Sequence, residues 1–124
     1  MIAGAANSGK TSLINSLNDN TIIGRVSKQS GKTQAMMFYL CQKTQNRKKN
    51  DPLDVYRGFI VDSPGYGFTY LSAKMKNDLK KLVNGYLSHA VRLQLVFVLV
   101  DASTGLKGSD LALLERLESF NKPV

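Results

Sequence analysis

A chain of 124 residues has the length of one domain or part of one, and 43% hydrophobic residues are enough to build a buried core. A single cysteine, Cys41, excludes an internal disulfide framework, and its place in an apolar run makes it a core residue rather than a reactive thiol. The longest apolar run, Leu95 to Val100, is too short to span a bilayer, and no signal peptide is visible, so the expectation is an intracellular protein with no membrane and no disulfide partner.

In chain order, Met1-Ile2-Ala3 reads as the end of a strand that runs into Gly4-Ala5-Ala6-Asn7-Ser8-Gly9-Lys10-Thr11-Ser12. Gly4, Gly9, Lys10 and Thr11 complete the pattern G-x-x-x-x-G-K-[S/T], a phosphate-binding loop. The chemistry asks for these residue types. Backbone N–H groups turned into one concavity bind several negative charges without any side chain, and glycine permits the angles that the turn demands. Lys10 adds a point charge for the outer phosphates, and the Thr11 hydroxyl is placed to ligate Mg²⁺. Leu13, Ile14 and Leu17 mark one face of a helix from Lys10 to about Leu17, whose positive dipole end points at the phosphates.

Thr21 to Lys32 reads as a polar loop with two glycines, followed by Thr33-Gln34. The second Gly-Lys-Thr, Gly31-Lys32-Thr33, lacks the glycine that a phosphate loop has five positions earlier, because Val26 stands there. Ala35 to Cys41 reads as a strand, and Gln42 to Asp54 as a polar connector with Lys43, Arg47, Lys48 and Lys49, an exposed hairpin tip. Val55 to Val61 is the next strand, and it ends in Asp62-Ser63-Pro64-Gly65. An aspartate delivered by an apolar strand at its carboxyl edge suits a water-mediated Mg²⁺ ligand, and Gly65 can offer its N–H to a terminal phosphate.

Leu71, Met75, Leu79, Leu82, Val83, Tyr86 and Leu87 form one helical stripe, with Lys74, Lys76, Lys80 and Lys81 off it as a solvated face. His89 follows the helix end in a surface or capping role. Leu95 to Val100 has the continuous apolar character of a parallel strand buried on both faces. Asp101 to Gly105 is a loop, and Ser109 is the expected N-cap of a helix whose buried face is Leu111, Leu113, Leu114, Leu117 and Phe120. Lys122-Pro123-Val124 reads as the start of another strand. Strands alternate with helices, so the class is α/β with a largely parallel sheet, and the basic hairpin adds one antiparallel edge pair.

The phosphate loop, Ser30-Gly31-Lys32-Thr33-Gln34 and Asp62-Ser63-Pro64-Gly65-Tyr66-Gly67-Phe68 together resemble the EngB (YihA) family of small GTPases. Asp101 to Leu106 and Lys107-Gly108-Ser109-Asp110-Leu111 extend the resemblance over nearly the whole chain. Members act in assembly of the large ribosomal subunit, with relatives in mitochondria and plastids. The resemblance implies a phosphate-loop NTPase three-layer sandwich that binds GTP and GDP with Mg²⁺, and the large ribosomal subunit or its rRNA as partner. It implies a location in the cytoplasm if the source is bacterial, or in mitochondria or plastids if it is eukaryotic. It makes Thr33 the switch threonine, which explains the second Gly-Lys-Thr.

The implied nucleotide-contacting set is Gly4, Asn7, Ser8, Gly9, Lys10, Thr11 and Ser12, then Gly31, Lys32, Thr33, Gln34 and Ala35, then Asp62, Ser63, Pro64 and Gly65. Within it Lys10, Thr33 and Gly65 carry catalysis, and Thr11, Thr33 and Asp62 hold the metal. Asn7 stands where related GTPases use an asparagine to help bind K⁺. Tyr66 stands where some GTPases place a water-orienting residue, so slow, switch-like turnover is expected.

The chain departs from the family pattern at Ala5-Ala6, where Arg-Ser is usual, and in a longer, more basic connector. It also ends before the N/T-K-x-D motif that recognises guanine. Asn121-Lys122-Pro123-Val124 carries Val124 where the aspartate belongs. Residues 1–124 therefore read as one partial EngB-type G domain, cut at both ends and poorly stable alone. Two further readings stay open: an ATPase or kinase on the same loop, and a basic RNA-binding module with a degraded nucleotide site. The net charge of +8 is compatible with the second and with a plain lysine-rich surface.

Overall fold

Short apolar stretches alternating with helical stripes build a sheet with helices on both faces. The computed structural model describes residues 1–17, 22–28, 35–45, 54–67 and 71–124. Its elements are β1 (Ile2–Gly4), α1 (Lys10–Ser16), β2 (Ile22–Lys28), β3 (Met37–Gln45), β4 (Asp54–Asp62), α2 (Ala73–His89), β5 (Phe97–Leu99) and α3 (Gly108–Ser119).

The sheet order is β2-β3-β4-β1-β5. β1 pairs in parallel with β4 and β5, while β3 is antiparallel to both β2 and β4. Four strands therefore run one way and β3 runs against them, which agrees with the α/β class and the antiparallel hairpin expected from the sequence. β3 and β4 pair without a break from Met37↔Asp62 to Gln45↔Asp54, longer than their apolar cores alone predict.

One strand lay outside the expectation. The polar segment from Thr21 to Lys32 contains β2, paired from Ile22↔Cys41 to Lys28↔Met37 with two register shifts. Its Ile-Ile-Gly-Arg-Val-Ser-Lys sequence lacks clean alternation. An edge strand needs only one ladder of backbone hydrogen bonds, so a polar sequence suffices.

Alternation along β1 separates two apolar layers. Met1 and Ala3 join Met36, Val61, Leu87, Val96, Leu113 and Leu117 in one core with α2 and α3. Successive residues of a strand point to opposite faces, so Ile2 belongs to the other face, on the side of α1 and its fully buried Ile14. The α2 stripe behaves as its spacing predicts: Leu79 and Leu87 are buried and Lys74, Lys76, Lys80 and Lys81 are exposed. Ser72 caps the helix by accepting from the Met75 N–H at 3.2 Å. His89 is its last residue, with Nδ1 2.8 Å from the Gly85 carbonyl.

Four expectations need correction. α3 starts at Gly108, so Ser109 is inside it; Lys107 is the N-cap, and its N–H donates to the Asp110 carboxylate at 2.8 Å. Leu113 and Leu117 are buried on its inner face, but Leu111 points outward, because it lies off their i, i+4 row. β5 departs as well. Val96 is buried, yet Phe97 is 59% exposed, because among the described residues β5 has β1 as its only strand neighbour. Lys122–Val124 forms no strand, although the Pro123 carbonyl accepts from the Val96 N–H at 2.9 Å.

Candidate functional site

The parallel strand β1 begins beside the end of β4, Ile2 opposite Asp62, and the loops that follow the two strands meet at the Ala5–Tyr66 bridge. Gly4 closes β1 where no side chain fits. A Cβ there would lie 2.6 Å from Ser8 Oγ and 2.7 Å from the Leu99 carbonyl oxygen. Asn7 (φ 62°) and Gly9 (φ 89°) both adopt left-handed backbone, the conformation that lets the remaining N–H groups of such a loop and the unbonded ones of the first turn of α1 face one concavity. The Ser8 N–H donates to the Ala5 carbonyl at 3.2 Å, and α1 begins at once with Leu13 N–H to Gly9 O at 2.8 Å. The result is a cradle of backbone amides with no acidic residue in the first turn of α1.

Lys10 is folded over this cradle. Its Nζ donates to the Ala5 carbonyl at 2.6 Å and the Gly4 carbonyl at 3.0 Å, with Ser8 Oγ at 3.4 Å. Only 7% of the side chain is exposed. Burial lowers its pKa, and the nearby Asp62 carboxylate works in the opposite direction. Thr11, at the exposed start of α1, donates from Oγ1 to Asp62 Oδ2 at 3.3 Å. Burial raises the Asp62 pKa, while Lys10 and then the Thr11 hydroxyl pull it down. The other carboxylate oxygen, Asp62 Oδ1, is buried and has no hydrogen-bond partner among the described residues.

The loop after β4 is pinned to the first loop. Ser63 donates from its hydroxyl to the Ile2 carbonyl at 2.9 Å, and its N–H reaches the same oxygen at 3.2 Å. Pro64 is buried beside it. The Ala6 N–H donates to the Tyr66 carbonyl at 2.8 Å, and Ala5 and Tyr66 form a parallel bridge. Gly65 is held between these contacts. A Cβ on it would lie 3.0 Å from Ala6 N and 3.1 Å from Lys10 Nζ. Close approach, not backbone angle, favours glycine there.

Gly4, Asn7, Ser8, Gly9, Lys10, Thr11, Asp62 and Gly65 thus converge. Ser12 is on the exposed side of α1, and Ala35 is half-buried in the lead-in to β3. Gly31, Lys32, Thr33 and Gln34 lie outside the described residues. Asn121 and Lys122 serve another purpose than base recognition. Asn121 (φ 51°) closes α3, with Asn121 N–H to Glu118 O at 2.7 Å and Lys122 N–H to Leu117 O at 2.9 Å.

Sequence reasoning missed one pair, Tyr66 and Asp110. The Tyr66 hydroxyl donates to Asp110 Oδ1 at 2.6 Å instead of turning toward the phosphate loop. Burial first, then the Asp110 bond, pushes the Tyr66 pKa far up, so it remains a donor. The available signal was Asp110 at the third position of a helix, which reads as an ordinary capping acid.

Among the described residues no three His, Cys, Asp or Glu side chains come together, so a metal here would draw on one hydroxyl, one carboxylate and the ligand's own oxygens. No described helix is long and apolar enough to cross a membrane.

Comparison with known proteins agrees with this geometry. The family model described as 50S ribosome-binding GTPase matches residues 1–124. A probable GTP-binding protein EngB of Natranaerobius thermophilus is 36% identical over 121 residues, covering 98% of this chain and 56% of the relative. Proteins of the same description from Thermotoga maritima (38% over 120 residues, 97% and 54%) and Lactobacillus acidophilus (32% over 123 residues, 99% and 56%) are also similar. The chain spans about half the length of these curated relatives. Together the loop geometry and the family match show that the chain belongs to the family described as 50S ribosome-binding GTPase.

Proposed function

We propose that the protein binds GTP with Mg²⁺ at the Gly4–Thr11 loop and hydrolyses it as a molecular switch in large-ribosomal-subunit assembly. The observation that carries this reading is the convergence of Lys10, Thr11, Asp62 and Gly65 from two loops onto one amide cradle. Loop amides and the Lys10 ammonium bind the phosphates, and the Gly65 N–H detects the terminal one. The donor set suits Mg²⁺. Thr11 supplies a hard oxygen, and Asp62 Oδ1, without a hydrogen-bond partner among the described residues, is a carboxylate oxygen suited to hold a metal-bound water. Thr11 and, through water, Asp62 would hold Mg²⁺, which would offset phosphate charge when bound, and positioning with electrostatics supplies most of the catalysis in this reaction class.

Thr33 joins as the switch threonine by family resemblance, and Asn7, exposed at the loop apex, as a K⁺ contact. With the Tyr66 hydroxyl engaged by Asp110, no side chain of residues 63–67 is free to orient the attacking water, which favours slow intrinsic turnover. The relatives' bacterial sources support a cytoplasmic protein. The +8 charge supports a ribosomal RNA partner whose hold weakens with salt. Phosphate release from GTP with Mg²⁺, and co-sedimentation with large ribosomal subunits in GTP-analogue and GDP states, test this reading. Release independent of the metal, or a protein that stays free of subunits in every nucleotide state at low salt, contradicts it.

A further inference from the structure

We infer that Tyr66 and Asp110 form a tether that sets the position of Gly65 and couples the bound nucleotide to the start of α3. The inference rests on the reading of the Gly4–Thr11 loop as a triphosphate site. Tyr66 is held from two sides. Its carbonyl accepts from the Ala6 N–H at 2.8 Å, and its hydroxyl donates to Asp110 Oδ1 at 2.6 Å. Asp110 cannot yield easily: it is 3% exposed, and its second oxygen accepts from the Lys107 N–H at 2.8 Å.

Gly65 is one residue from this fixed point. Its N–H has therefore little freedom to shift relative to Lys10 unless Tyr66 moves with it. Beside the ring lies a cavity of about 400 Å³, lined in part by Leu79, Val83 and Leu113. A Tyr66 released from Asp110 has room to turn there, and Gly65 then loses its fixed position. Coupling between two sites is reciprocal, so a terminal phosphate on Gly65 also tightens the Asp110 end of the tether.

Tyr66→Phe tests this in the full-length protein. It keeps the ring that packs against the core and leaves the Lys107 bond to Asp110 in place. Fluorescent-nucleotide titration should give a ratio of GTP-analogue to GDP affinity about five-fold or more below wild type. Asp110→Ala should lower the same ratio, and the double variant should lose no more than the single ones. A general loss of stability would weaken both nucleotides alike and leave the ratio unchanged. An unchanged ratio in Tyr66→Phe, or losses that add in the double variant, overturns the tether. Lys10→Ala separates the premise. If that variant keeps both nucleotides at wild-type affinity, the site reading itself fails and the tether fails with it.

Discussion

Thr11 and Asp62, 51 positions apart in the chain, meet at 3.3 Å where α1 begins and β4 ends. The contact joins the phosphate loop to the loop that carries Gly65. It also leaves one Asp62 oxygen buried and, among the described residues, without a hydrogen-bond partner. A buried carboxylate oxygen with no partner is costly unless a ligand uses it.

Asp62→Asn should therefore separate binding from metal dependence. In wild type, nucleotide affinity should drop when EDTA replaces Mg²⁺. In the variant that difference should largely vanish, because a neutral amide is a poor partner for a metal-bound water. Titration with and without the metal checks it, and an unchanged Mg²⁺ effect would remove Asp62 from the metal site.

Gly65→Ala should weaken the GTP analogue more than GDP. The added Cβ meets Ala6 N and Cα at 3.0 Å and Lys10 Nζ at 3.1 Å. The lysine can move, but the backbone of the phosphate loop cannot without losing its own bonds. Overpacking of this kind typically costs about 1–3 kcal/mol. Thermal melts measure the stability part and nucleotide titration the selective part.

Much of this arrangement was legible in the sequence. Gly4, Gly9, Lys10 and Thr11 have a spacing that chemistry dictates, and Asp62 ends an apolar strand whose direction the topology determines. The helical stripe ending at Leu87 reads directly because burial on one face repeats with the helix period. β2 did not read, because an edge ladder is made of backbone bonds that carry no side-chain pattern. Leu111 was misassigned because a run of leucines leaves the phase of a helix ambiguous. The Tyr66–Asp110 bond joins residues 44 positions apart, and no local rule pairs them.

Thr33→Ala tests the part of the site that lies outside the described residues. If Thr33 ligates Mg²⁺ only with a triphosphate bound, its loss should weaken a non-hydrolysable GTP analogue by roughly 1.5–3 kcal/mol. GDP affinity should hardly change. Equal losses for both nucleotides would return Gly31-Lys32-Thr33 to an ordinary loop.

Asp110 gives a pH dependence. The Tyr66 hydroxyl, then the Lys107 N–H, hold its carboxyl below the ordinary value of 3.8. The folded chain therefore binds fewer protons there than the unfolded chain, and this stabilisation is complete above the unfolded value. It is lost as pH falls through the lower, folded value. Tyr66→Phe removes the largest cause. The melting difference between wild type and this variant should thus be greatest near neutral pH and shrink below about pH 4. A difference that is constant with pH would mean the hydroxyl acts through packing alone.

The most direct test is titration of Mg·GTP into the full-length protein and into Lys10→Ala, with thermal melts to establish that both are folded. Lys10 is the side-chain charge that the phosphate loop brings to its amide cradle, at 2.6 Å from the Ala5 carbonyl. Loss of a charge-assisted contact of this kind should reduce affinity roughly ten-fold to a hundred-fold. A folded Lys10→Ala variant that binds Mg·GTP as wild type does would contradict the assignment of this loop as the nucleotide site.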